Sequence, residues 1–162
     1  MEAVLFIGAP GAGKSTFFKQ RFFLSHIRVS LDLLKTRHRE QTFLTTCLST
    51  QQRFVVDNTN PTRLDRVRYI APAKAAGFQV VGYYFQSIVA DCLQRNAGRA
   101  GAERIPDGAV ISIARKIELP QRAEGFDALF YVRLTDGRFV VENWNEDGGD
   151  DLRRPGPADA GV

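Results

Sequence analysis

The chain has 162 residues, enough for one domain with a sizeable core. Hydrophobic residues at 44% and charged residues at 25% are ordinary for a globular protein, and no apolar run approaches the roughly 20 residues that cross a bilayer, which excludes a membrane-spanning helix. Charge is uneven: residues 1–134 carry 19 lysines and arginines against 11 acids, while residues 135–162 carry 3 against 7, so a basic body suits a polyanionic substrate or ATP itself.

Ala3 to Ile7 is a continuous apolar run that reads as a buried parallel strand. It leads directly into Gly8-Ala9-Pro10-Gly11-Ala12-Gly13-Lys14-Ser15, followed by Thr16, which fits the phosphate-loop pattern at every fixed position. The glycines let successive N–H groups turn inward on a phosphate, and a helix continuing through Arg21 adds its positive N-terminal dipole. Lys14 is placed to reach the β- and γ-phosphates, and the Ser15 hydroxyl to ligate Mg²⁺. Nucleoside triphosphate binding follows, with ATP and Mg²⁺ as the expected pair. A strand at the very start of the sequence leaves no room for a signal peptide. Cys47 and Cys92, far apart and without metal spacing, fit a reduced cytoplasmic compartment, and His26 and His38 are too scattered for a metal site.

His26 to Ser30 reads as a second strand ending at Asp32, and Arg37 to Gln51 as an amphipathic helix. Phe54 to Asp57 is a third strand closed by an acid. Asn60 then suits a helix N-cap and Pro61 the first helical position, with the helix running to Gly77 and kinked or cut short at Pro72. Gln79 to Phe85 is a fourth, central strand; Ser87 suits the cap of the next helix. A stretch rich in Gly, Ala and Arg spans Asn96 to Pro106, a helix follows over Asp107 to Leu119, and Ala128 to Val132 supplies a fifth strand. Thr135 to Arg138 is a turn before a short edge strand at Phe139 to Val141. From Asn145 onward Gly, Pro and Asp dominate, so residues 1–144 read as the folded domain and 145–162 as a disordered acidic tail. Strands alternating with helices predict a three-layer α/β/α fold of the P-loop NTPase type, with a mostly parallel sheet of about five strands and an arginine-bearing lid.

Ligands of open α/β sheets bind at the carboxyl ends of strands, where three candidates fall. Asp57 suits the second magnesium-binding acid, or a turn aspartate; Thr59 can reach a γ-phosphate or cap a helix. Asp32, one strand over, is placed either to take the proton of an attacking hydroxyl or to cap a short helix. Arg95, Arg99 and Arg104 suit a lid that neutralises transferring phosphate, or a solvated basic loop.

Taken together these pieces resemble the 5′-kinase domain of polynucleotide kinases, particularly the kinase half of polynucleotide kinase/phosphatase. The matching series runs from the phosphate loop through Asp32, Asp57-Asn58-Thr59-Asn60-Pro61 with Arg66-Val67-Arg68-Tyr69, Ile105-Pro106 and Arg115-Lys116 to Ala123-Glu124-Gly125-Phe126. The resemblance implies transfer of ATP's γ-phosphate to the 5′-hydroxyl of a DNA or RNA end. It makes Asp32 the general base, Lys14 and Ser15 the clamp on phosphates and metal, and Asp57 and Thr59 the support of metal and γ-phosphate. Arg95 and Arg99 become lid arginines, and Lys35, Arg37, Arg66 and Arg68 contacts to nucleic acid. The acceptor side departs from the family: Leu31 replaces an arginine, Arg37 an aromatic residue, and Lys35 an arginine of the phage enzyme. No phosphatase or ligase-like module accompanies the kinase pieces, so the expected role is addition of 5′-phosphate alone. Two other readings use the same residues: a kinase for a small-molecule or tRNA-linked hydroxyl, and a nucleotide-dependent binding module without chemistry.

Overall fold

The computed structural model describes residues 1–148. One sheet holds β1 (Glu2–Ile7), β2 (Ile27–Val29), β3 (Phe54–Val56), β4 (Gln79–Phe85), β5 (Ala128–Thr135) and β6 (Arg138–Asn143), in the order β2-β3-β1-β4-β5-β6. The first five strands run parallel and β6 antiparallel. Between them lie α1 (Lys14–Arg21), α2 (Leu31–Leu34), α3 (Arg37–Ser49), α4 (Arg63–Ala75), α5 (Val89–Ala97) and α6 (Asp107–Lys116). The sixth strand is the edge strand expected at Phe139 to Val141, and it is twice as long as that apolar triplet implied. Asp136 and Gly137, both with positive φ, form a two-residue hairpin turn between Thr135 and Arg138, and backbone pairing carries β6 through polar Glu142 and Asn143.

β1 is completely buried from Ala3 to Ile7, as a strand flanked on both edges and covered on both faces must be. Alternation along the strands sorts the aromatic residues into two layers. Phe6, Tyr83 and Phe85 point toward α1, where Phe17 stands 5.8 Å from Phe6 and 5.3 Å from Phe85, ring centroid to ring centroid. On the other face Tyr84 stacks on Tyr131 at 6.0 Å and meets Trp144 edge-on at 5.4 Å. Trp144 is thus buried core, and the 149–162 part of the expected disordered tail lies outside the described residues; Glu146–Gly148 form a 3₁₀ turn.

Three helix boundaries differ from the sequence reading. α4 starts at Arg63 with Thr62 as its cap: Thr62 accepts from the Asp65 N–H, and the Asp65 carboxylate accepts from the Thr62 N–H in return. Asn60 cannot serve, because its side-chain amide donates to the Phe6 carbonyl at 2.8 Å and its own φ is +44°. Ser87 is likewise committed elsewhere, accepting from the Ala9 N–H and donating to the Phe85 carbonyl, so α5 begins at Val89 without a side-chain cap. α6 ends at Lys116, and the Glu118 N–H donates to the Pro61 carbonyl instead of continuing the helix. α4 itself continues through Pro72 to Ala75.

Candidate active site

β1 lies between β3 and β4, where the strand order changes direction, and the carboxyl end of such a strand is where open α/β sheets bind ligands. The loop 8–13 leaves β1 at that end and leads into α1. Gly11 and Gly13 have φ of +83° and +98°, and a Cβ at Gly11 would lie 2.6 Å from the Cys92 carbonyl oxygen, so glycine is required at both the turn and the close approach. Gly13 forms the N-terminus of α1 and leaves its first N–H groups without a side-chain cap, the arrangement that receives a phosphate.

The segment after β3 fixes this loop one residue at a time. Asp57 accepts from the Ser15 hydroxyl at 3.0 Å. Asn58 accepts from the Leu31 N–H at 2.9 Å and so anchors the start of α2. The Thr59 carbonyl accepts from the Gly8 N–H, and Asn60 ties the turn to the end of β1. These four consecutive residues join β1, the phosphate loop and the Asp32 helix into one unit.

Lys14 is buried, and its ammonium donates to the Gly8 and Ala9 carbonyls at 2.9 and 2.8 Å. Burial lowers its pKa from the ordinary lysine value to about 8, opposed chiefly by the Asp57 charge, with Arg99 and Asp32 also acting on it. Arg99 and Asp32 thus lie near enough to Lys14 for their charges to act on it. A lysine with lowered pKa binds fewer protons folded than unfolded, so its contribution to stability rises with pH between about 8 and its unfolded value. The grip on an anionic phosphate runs the opposite way and needs the charged form. Affinity for ADP is expected to fall as pH rises through about 8, in a titration of nucleotide binding against pH, and Lys14→Met should lack that step.

Asp32 is exposed in the first turn of α2, and Ser30 just before it is buried with its hydroxyl unpartnered among the described residues. Behind α2 lies a ring of polar groups that the sequence reading missed. Glu40, buried on α3, accepts from Asn58 at 2.6 Å, from the Tyr69 hydroxyl at 2.8 Å and from Arg37 at 2.8 Å. Arg37 also donates to the Tyr69 oxygen, and burial raises the Tyr69 pKa to about 12. Arg37, expected at the substrate, is thus tied to Glu40 and Tyr69 while half its side chain stays exposed.

The other expected contacts separate. Arg95 belongs to α5 and donates to the Gly11 carbonyl at 3.0 Å, directly over the loop. Asn96 holds both the N–H and the carbonyl of Ile105, closing the neck of the 98–104 stretch that carries Arg99 and Arg104. Thr16, Lys35 and Arg68 are exposed, Lys35 at the end of α2 with φ of +70°. Arg66 is a correction: its side chain is wholly buried, forks onto both oxygens of Glu124 at 2.7 and 2.9 Å, and donates to the carbonyls of Asn60, Pro61 and Glu118. Its donors are spent inside the protein, so it holds the fold and contacts no substrate.

Arg28 on β2 was also missed. It spans Asp57 and Ser15 together, a contact that no local pattern in a three-residue strand announces.

A family model described as AAA domain matches residues 4–120. The chain belongs to that family. Within it, the similarity is to polynucleotide kinases: the bifunctional polynucleotide phosphatase/kinase of Schizosaccharomyces pombe is 26% identical over 148 residues, which cover 89% of this chain and 36% of that protein. The chain spans about a third of the length of the curated relatives it matches. Among solved structures, Kti12 of Chaetomium thermophilum with ADP-AlF3 superposes with a TM-score of 0.62 at 14% identity, covering 93% of this chain and 95% of that one. A gluconokinase of Sinorhizobium meliloti gives 0.58 at 16% identity, with 83% of each chain covered. These show a fold shared with P-loop kinases, with nucleotide binding as the property that fold implies. Among the described residues of this AAA-domain protein, no helix is long and apolar enough to cross a membrane.

Proposed function

We propose that this P-loop kinase domain transfers the γ-phosphate of ATP to the 5′-hydroxyl of a polynucleotide, with Asp32 as general base. The observation that carries the reading is the placement of Asp32. It lies at the carboxyl end of the sheet, tethered through Leu31 and Asn58 to the segment that holds the phosphate loop, and its charge is felt at Lys14. An exposed carboxylate there takes the proton of a hydroxyl as that oxygen bonds the γ-phosphorus and ADP leaves. Lys14, leaving its two carbonyls, meets the phosphates, with Arg95 and Arg99 beside them. Ser15 and Asp57 are hard oxygen donors 3.0 Å apart, a fit for Mg²⁺, which when bound neutralises phosphate charge. The similarity to phosphatase/kinases directs the acceptor toward a nucleic-acid end, and exposed Lys35 and Arg68 are the cations proposed to meet its backbone. The proposed unit is residues 1–144.

A second reading, a kinase for a small-molecule or tRNA-linked hydroxyl, is favoured by one observation. Arg66 is buried and Arg37 is engaged internally, so the acceptor side offers fewer uncommitted cations than the family pattern implied. Incubation with γ-labelled ATP and 5′-hydroxyl DNA and RNA oligonucleotides decides between them. Label on an oligonucleotide is expected; label on none of them rejects the leading reading, and transfer of label to a small hydroxyl compound or a tRNA instead selects the second.

A further inference from the structure

The two groups assigned to the metal share a protein cation. Arg28 donates to Asp57 Oδ2 from Nε at 2.8 Å, and its Nη2 lies 2.7 Å from the same oxygen and 2.9 Å from Ser15 Oγ. The Asp57 side chain is 1% exposed and that of Arg28 21%. The guanidinium is also backed by the Phe18 ring, 5.7 Å from its centroid, so it rests in a shaped place instead of reaching loosely across the surface. A structural ion pair would need only the carboxylate. Here the fork spans both the carboxylate and the hydroxyl, and the positive charge lies where those two oxygens would face a divalent ion.

We infer that Arg28 is a built-in competitor for the divalent cation, setting how strongly nucleotide binding depends on it. The inference rests on the assignment of Ser15 and Asp57 to the metal. A divalent cation on Asp57 and Ser15 would share those oxygens with the Arg28 guanidinium, and repulsion between the two cations at that range opposes metal binding for as long as Arg28 holds its place. By linkage, the metal tightens nucleotide binding less than it would if Arg28 were neutral. Without metal, the guanidinium leaves positive charge one hydroxyl away from the phosphate loop, and this supports binding of the nucleotide alone.

The test measures binding of fluorescent N-methylanthraniloyl-ADP with excess magnesium and with EDTA, at one fixed pH below 8 so that Lys14 stays charged in both. The readout is the ratio of the two affinities. Arg28→Gln should raise that ratio about tenfold, within the usual range of couplings between sites. Arg28→Lys, which keeps the charge but loses the fork, should raise it less. Circular dichroism establishes that each variant is folded, and the Lys variant carries the test if the Gln variant is not. A ratio unchanged or lowered in a folded variant overturns the inference. Failure here is distinct from failure of the kinase reading, because a chain that labels no oligonucleotide can still show the rise in ratio, and one that labels efficiently can still lack it.

Discussion

Asp32→Asn is expected to abolish phosphoryl transfer while leaving nucleotide affinity near that of the wild type. The asparagine keeps the size and the exposed position of the aspartate, so the fold is undisturbed, within about 0.5 kcal/mol for an exposed site. What it loses is the basicity of a carboxylate, since the amide oxygen accepts a hydrogen bond but does not take the proton of the acceptor hydroxyl. General-base catalysis is worth roughly 10²- to 10⁴-fold, and that is the expected loss in the rate of label transfer to an oligonucleotide. The split is the informative part: the phosphate loop, Lys14 and Ser15 are untouched, so ADP binding stays as it was. A variant that transferred label at the full rate would remove Asp32 from the role of base. One that lost ADP binding as well would make Asp32 part of the nucleotide grip.

Arg66→Met is expected to be the most damaging single substitution for stability. The variant leaves the Glu124 carboxylate, itself only 10% exposed, without its bidentate partner, and strips donors from three carbonyls that close the junction of the post-β3 segment, α4 and the 117–124 segment. Removing one partner of a buried ion pair costs about 3–5 kcal/mol, much of it the desolvated charge left behind. For a domain of this size that corresponds to a fall in Tm of roughly 10 °C, read by calorimetry. The double substitution Arg66→Met with Glu124→Gln should recover part of the loss, because it removes the stranded charge. A melting temperature unchanged in the single variant would show that Arg66 is not structural.

These two residues mark what a linear reading can and cannot reach. The position of Asp32 was legible because the relevant facts are local: a short β-branched run leading to an acid, in a chain whose phosphate loop defines the ligand end of the sheet. Arg66 was not, because its fate depends on Glu124, 58 positions away. An arginine on a helix beside a nucleic-acid-like motif reads the same whether it points outward or inward. The Asp57 to Asn60 run shows the middle case. Its sequence marked it as functional, yet the cap assigned to Asn60 failed, since its side chain goes to the Phe6 carbonyl across the sheet.

By itself the sequence determined the parallel strands, the phosphate loop and the class of fold. Each depends on residues adjacent in the chain: continuous apolar runs that must be buried on both faces, and glycines whose backbone freedom lets N–H groups converge on an anion. Only the tertiary structure decided which charges stay available and which are consumed. It brought Arg28 from β2 onto Asp57 and Ser15, closed Arg37, Glu40, Tyr69 and Asn58 into one network behind Asp32, and sealed Arg66 against Glu124. The physical reason is that a charge acts on whatever lies within a few ångströms of it, and in this fold those neighbours come from strands and helices far apart in the chain.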